Sequence, residues 1–242
     1  MESQIVIGFG EIGQSLFNIL HERYGDNVQH KDLEELTGQF DILHICYGYS
    51  DKFVEITKQY ISEYKPRLVI IHSTVPVGIT RLCGDVCVNS PCRGRHPHLE
   101  EGLRTFIKYI GGIDMEKVKL AMTILEDAGI PTKIVDKPET SELAKLGCTT
   151  YYGLQILFQK EFKKLCDQVG ADYDIAYRDL NESYALGYIK LNEPQFVRPI
   201  LKDMPGQIGG HCVIKNCEIL NDSFNWPIAK FILSLNEIYK GD

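Results

Sequence analysis

The chain has 242 residues, 44% of them hydrophobic and 24% charged, with a formal net charge of -7. That is enough apolar material for one large core or two small ones, and the acidic balance argues against non-specific nucleic-acid binding, which needs a basic face. No apolar run approaches the ~20 residues that span a bilayer, the first residues lack the basic stretch of a secretion signal, and eight cysteines in that setting read as reduced thiols of a cytoplasmic protein.

From the N-terminus, short β-branched runs alternate with amphipathic stretches. The runs are Gln4–Gly8, Phe40–Cys46, Arg67–His72, Val86–Asn89, Phe106–Gly111 and Thr132–Val135; between them lie Ile12–Tyr24, Lys52–Tyr64 and Met115–Ala128. This alternation predicts the α/β class, with residues 1–136 forming a doubly wound parallel sheet of Rossmann type. After Lys137-Pro138 the pattern turns helical, which predicts a second, mainly helical domain over 137–242. Its long helix is expected over 141–168, where Leu143, Leu146, Thr150, Leu154, Leu157, Phe158, Leu165 and Cys166 recur at helical spacing, with an N-cap at Thr140 or Ser141. A second helix is expected over 172–187, an ordered Pro- and Gly-rich loop over Asn192–Gly210, and a last helix over Pro227–Tyr239.

Gly8-Phe9-Gly10-Glu11-Ile12-Gly13 has the G-x-G-x-x-G spacing between a strand, Ile5-Val6-Ile7, and a helix. In a dinucleotide fold the first glycine makes the tight turn, the second lets backbone approach a pyrophosphate, and the third lets helix and strand pack closely. The N–H groups that open the helix then hold the diphosphate. The next strand-like run, Asn27–Asp32, ends on Asp32, the acid expected on the adenosine ribose; its neighbours His30 and Lys31 leave NADP open beside NAD. Asp32 could instead merely cap a following helix. Tyr47 and Gly48, after the Phe40–Cys46 run, are expected to border the adenosine or the pyrophosphate.

Three further segments are more specific: His72-Ser73-Thr74-Val75-Pro76-Val77-Gly78, Glu139-Thr140-Ser141-Glu142-Leu143-Ala144-Lys145-Leu146, and Pro205-Gly206-Gln207-Ile208-Gly209-Gly210-His211-Cys212. With Phe158-Gln159-Lys160-Glu161-Phe162, their order and spacing resemble the nucleotide-sugar 6-dehydrogenases, the UDP-glucose/GDP-mannose dehydrogenase family, over most of the chain. The resemblance implies oxidation of a sugar-like alcohol or aldehyde by NAD, in a homodimer built through the helix 141–168. It implies Cys212 as the nucleophile on the aldehyde, Lys145 as the group that stabilises oxyanions or moves protons, and Ser73 and Thr74 beside the nicotinamide. Gly209 and Gly210 would let backbone crowd the substrate. A nearby ammonium lowers a thiol pKa and so favours the reactive thiolate. Read without the family, Cys212 could instead be a buried apolar thiol and Lys145 a solvated lysine, each the lesser reading.

The chain departs from the family pattern where carboxylates and an amide are due. Cys92 stands where the family has a glutamate, Thr149 where it has an asparagine, and Asn216 where it has an aspartate. An amide cannot accept a proton as a carboxylate does, so at most one oxidation step is expected to be efficient. The connection from Asp32 to Phe40 is short, and the sequence ends at Gly241-Asp242, before the family's third domain, so the usual nucleotide-sugar site is expected to be incomplete in this polypeptide.

The run Cys83, Cys87, Cys92, His96, His98 matches no common zinc spacing, and no metal is expected. Arg93 and Arg95 could hold a carboxylate or phosphate of the substrate, or lie on a solvated loop. A small-molecule substrate is expected, with neither nucleic acid nor membrane as partner. Two rival functions stay open: a one-step β-hydroxyacid-type dehydrogenase, which uses a helix-borne lysine and no cysteine, and a non-catalytic dinucleotide-binding protein of the same fold.

Overall fold

The computed structural model describes residues 2–33, 36–94, 97–210 and 212–240. The chain divides into two compact units, Met1–Lys145 and Leu146–Asp242.

The first unit is built on a seven-stranded sheet in the order β2-β1-β3-β4-β5-β6-β7. The strands are β1 (Gln4–Ile7), β2 (Val28–Lys31), β3 (Ile42–Ile45), β4 (Leu68–Ile71), β5 (Cys87–Asn89), β6 (Lys108–Gly112) and β7 (Thr132–Ile134). The accompanying helices are α1 (Glu11–Tyr24), α2 (Phe53–Tyr64), α3 (Ile79–Cys83), α4 (Leu99–Thr105) and α5 (Met115–Asp127). This is the expected Rossmann-like α/β fold. β1, β3 and β4 are buried at every position, as strands covered on both faces must be. Alternation sends Val6, Ile42, Leu68, Ile70 and Val88 into one core with α1 and α5, and Ile5, Ile7, Leu43, Ile45, Val69 and Ile71 into the other with α2. β1 pairs in parallel with both β2 and β3. The chain's winding therefore reverses around β1, which is where such sheets take their ligands, at the carboxyl ends of the strands.

One pairing corrects the all-parallel expectation. β6 runs antiparallel to β5, with Val88 opposite Gly112 and Asn89 opposite Gly111, while β6 and β7 are parallel. The connection carries a single helix of seven residues, α4, and the chain enters β6 at the end of the sheet where it left β5.

α6 (Pro138–Val169) runs across the boundary between the units. It begins before the expected N-cap at Thr140 or Ser141, because Pro138 is pre-organised for a first helical turn. Ser141 Oγ donates instead to Asn89 Oδ1, at 2.8 Å. In the second unit a π-helical turn, Asp174–Asp179, leads into α7 (Leu180–Lys190), and a short 3-10 turn, Pro194–Phe196, interrupts the loop that follows. α8 (Cys212–Phe224) and α9 (Pro227–Glu237) complete it. Gly153 on α6 lets α8 come close: a Cβ there would lie 2.5 Å from Val213 Cγ1. α8 was not anticipated, since its buried face carries Asn216 and Cys217 between Val213 and Leu220, which blurs the apolar period. No helix among the described residues is long and apolar enough to cross a membrane.

Candidate functional site

The glycine fingerprint sits at the end of β1 and opens α1, and its three glycines are not equivalent. Gly8 has φ +89°, and a Cβ there would lie 2.5 Å from Tyr47 N; a Cβ on Gly13 would lie 1.9 Å from Gly8 O. Those two positions are closed by the protein's own backbone. A Cβ on Gly10 would meet nothing within 4 Å. Gly10 is also the N-cap of α1 and provides no side-chain cap, so the helix start presents its first N–H groups where a side chain would otherwise stand. Glu11 and Ile12 follow in the first turn. Gln14 Nε2 donates to Phe9 O at 2.8 Å and fixes the turn from inside.

Asp32 follows β2 directly. Its carboxylate accepts from Phe9 N–H at 3.1 Å, which joins the second-strand acid to the glycine turn. The Phe9 ring stacks on His30, centroids 3.9 Å apart. Tyr47, just beyond β3, packs its backbone against Gly8, and Ser73 Oγ donates to Tyr47 O at 2.5 Å. Burial pushes the Tyr47 phenol pKa well up. It is hydrogen-bonded to Thr57 Oγ1 at 2.6 Å. Gly48 has open space around it. Thr74 is half-buried beside the fully enclosed Ser73.

The α6 signature contributes Glu142 and Lys145. Glu142 is 1% exposed, and its carboxylate accepts from Gly78 N–H at 2.6 Å and Thr80 N–H at 2.9 Å. Burial raises its pKa against the lowering effect of these bonds. Engaged in this way, Glu142 holds the turn that opens α3. Lys145 is half-buried, one helical turn before Thr149.

Within the second unit, two residues singled out from the sequence meet: Asn216 Nδ2 donates to Thr149 Oγ1 at 2.6 Å. Cys212 is exposed at the first position of α8, one turn before the buried Asn216. Gly209 and Gly210 precede it, both exposed, Gly210 with φ +79°. His211 lies outside the described residues.

Arg93 donates to Ile107 O at 3.3 Å and lies over the rings of Phe106 and Tyr109. Arg95 and His96 lie outside the described residues. Cys83 and Cys87 point into one core of the sheet and Cys92 into the other.

Sequence reasoning missed a line of polar groups through the sheet. His44 on β3 is 0% exposed; its Nε2 bonds Gln4 Oε1 at 2.9 Å and its Nδ1 bonds His72 Nε2 at 3.0 Å. Burial lowers the His44 pKa from 6.5 to about 3, with the Lys108 charge adding to the effect. His72 is lowered too, by burial, Lys108 and His44. Lys108 on β6 is also 0% exposed. Its position inside the Phe106–Gly111 run was the available signal: a lysine within an otherwise apolar strand of a two-sided sheet has nowhere exposed to go.

No family model matches the chain. It is 27% identical over 198 residues to a UDP-N-acetyl-D-mannosamine dehydrogenase of Methanocaldococcus jannaschii, an alignment covering 78% of this chain and 43% of that protein. The chain thus spans less than half the length of the curated relative it matches. Among solved structures, its fold superposes on a UDP-D-ManNAc dehydrogenase of Pyrococcus horikoshii with TM-score 0.78 at 19% identity, over 97% of this chain and 68% of that one. It superposes on a Mycobacterium tuberculosis 3-hydroxyisobutyrate dehydrogenase with TM-score 0.72 at 16% identity, over 99% and 94%.

Proposed function

From this kinship with the nucleotide-sugar dehydrogenases, we propose that the chain is a nicotinamide-dependent oxidoreductase acting on an alcohol or aldehyde of a sugar-like substrate. The observation that carries the reading is the contrast within the fingerprint: Gly8 and Gly13 are closed by backbone, while Gly10 leaves room at the start of α1. That is the cradle a diphosphate needs. Gly8, Phe9, Gly10, Glu11, Ile12 and Gly13 would hold the dinucleotide, with Asp32 on the ribose, Tyr47 and Gly48 at its border and Ser73 and Thr74 toward the nicotinamide. NAD, with NADP as the alternative, supplies a hydride acceptor when bound.

The protein's own part of the chemistry falls to Cys212 and Lys145. Lys145 would take up or stabilise charge on the substrate oxygen, and the Cys212 thiolate would add to an aldehyde carbon. Thr149 and Asn216, hydrogen-bonded to each other, would orient substrate oxygens, with Gly209, Gly210, Arg93 and Arg95 contacting the substrate. Hydrolysis of an acyl group on Cys212 would be slow. A positioned base typically contributes ~10²–10⁴-fold, the expected carboxylates are Cys92 and Asn216, and Glu142 is engaged with backbone N–H groups. Residues 1–136 would serve as the dinucleotide-binding domain and 137–242 as the catalytic and dimerisation domain of a cytoplasmic homodimer joined through the helix 141–168. On that helix Leu143, Phe158 and Leu165 are 50%, 62% and 54% exposed, an apolar face that a partner copy would cover.

Gly10→Val tests the reading. The variant should fold as the wild type does, because a Cβ there meets no protein atom within 4 Å, and should lose NAD and NADP binding in calorimetric titration. Unchanged binding would overturn it. A one-step β-hydroxyacid-type oxidation is the second reading, favoured by the fold match over nearly the whole length of the hydroxyisobutyrate dehydrogenase. Cys212→Ala separates the two: NAD reduction on aldehydes of sugars and sugar nucleotides vanishes under the first reading, and NAD reduction on hydroxy acids persists under the second. Tight dinucleotide binding with no turnover on any of them would mark a non-catalytic protein of this fold.

A further inference from the structure

Lys108 is a fully buried amine in the middle of a sheet core, and this is costly unless the group is paired or put to use. Its Nζ donates to Ser90 O at 2.5 Å and lies 3.6 Å from Cys92 Sγ. Burial, with a contribution from Lys145, lowers its pKa, and the sulfurs of Cys92 and Cys46 act in the opposite direction. Cys92 is itself only 4% exposed. A small reagent can therefore reach its sulfur far more readily than a second protein or a bulky thiol can. The amine that touches it is pre-positioned at contact distance, and such proximity is worth many orders of magnitude in effective concentration.

We propose that Cys92 and Lys108 form a covalent modification site, in which peroxide oxidation of Cys92 ends in a sulfur–nitrogen bond to Lys108. In the first step the Cys92 sulfur attacks one oxygen of hydrogen peroxide. The O–O bond breaks, the second oxygen leaves as water with the thiol proton, and Cys92 becomes a sulfenic acid. In the second step the Lys108 nitrogen lone pair attacks that sulfur. The S–O bond breaks, and its hydroxyl leaves as water with a proton from the nitrogen. Sulfur is oxidised by one electron pair and peroxide is reduced to water. A sulfenic acid exposed to solvent would be intercepted by free thiols or oxidised further; this one is shielded and faces an amine. The bond ties the segment leaving β5 to β6 and consumes the buried amine. An external dithiol reverses it by attacking sulfur and releasing the amine. The site is independent of whether the chain oxidises a sugar.

The experiment is peptide mass spectrometry of the intact chain after hydrogen peroxide, digested without reductant. The expected product is one linked pair of peptides holding Cys92 and Lys108, lighter by two hydrogens than the two peptides together and split by dithiothreitol. Lys108→Met, checked for native circular dichroism, should lose the link and accumulate oxygens on Cys92. Cys92→Ser should give no link. The wild-type product decides the matter even if a variant fails to fold. An unreacted Cys92, a Cys92 bearing only added oxygens, a disulfide to Cys46, or a link that retains an oxygen would each overturn the proposal.

Discussion

The two units bury their apolar residues in different ways. In the first, β1, β3 and β4 are buried throughout and feed two closed cores, one on each face of the sheet. In the second, α7 has no buried residue, and Leu180, Leu186 and Ile189 on it are 62%, 58% and 56% exposed. A parallel sheet covered on both faces satisfies its own hydrophobic surface. A helix with no buried residue leaves its apolar side chains uncovered.

The comparison breaks most visibly at Gly13. Gly13→Val would drive a side chain into Gly8 O, which even a Cβ would approach to 1.9 Å. We expect a loss of roughly 3 kcal/mol or more in unfolding free energy by urea titration, at the upper end of overpacking effects. A stable Gly13→Val protein would mean that the turn is loose. Next in size is a matched pair of truncations. Leu43→Ala, at a position 0% exposed, should cost about 2–5 kcal/mol, and Leu180→Ala less than about 0.5 kcal/mol for the isolated chain. Sedimentation adds the other half of the contrast: replacing Phe158 and Leu180 with lysine should abolish self-association without lowering the chain's own stability.

Acid sharpens the contrast further. His44 has its folded pKa lowered to about 3 from 6.5. Its contribution is therefore complete above pH 6.5 and is lost as pH falls toward 3, because the unfolded chain binds the proton first. His72 acts in the same direction. Each histidine should steepen the loss by up to about 1.4 kcal/mol per pH unit in that window. Urea titrations in steps below pH 6.5 check this, and a flat profile would show that the pair is protonated when folded. A modest effect is expected at the polar pair of the second unit. Asn216→Ala removes the bond to Thr149 and should cost about 1 kcal/mol, with proportionally more loss in turnover if the pair orients substrate.

Much of this was legible in the residues. The strand runs were found because β-branched periodicity is local. The glycine turn is legible because the backbone closes on Gly8 and Gly13 and leaves no room there for a side chain. The pairing of Thr149 with Asn216 followed only in part: both were singled out, but as separate counterparts of family residues, and their contact depends on α8, a helix whose polar inner face hid its period. The reversed β6 was not legible, because strand direction depends on where the preceding helix delivers the chain. The engagement of Glu142 by Gly78 and Thr80 N–H was not legible either, because those donors lie more than 60 residues away in the chain.

By itself the sequence determined which segments are strands and where a glycine turn opens a helix, and it marked Cys212 and Lys145 as candidates by resemblance alone. Those are properties of local spacing and of single side chains. Only the tertiary structure decided that Lys108 touches Cys92, that His44 and His72 share a hydrogen bond, and that Gly10 alone of the three fingerprint glycines faces open space. Burial and contact are set by neighbours distant in the chain, and no periodicity along it records them.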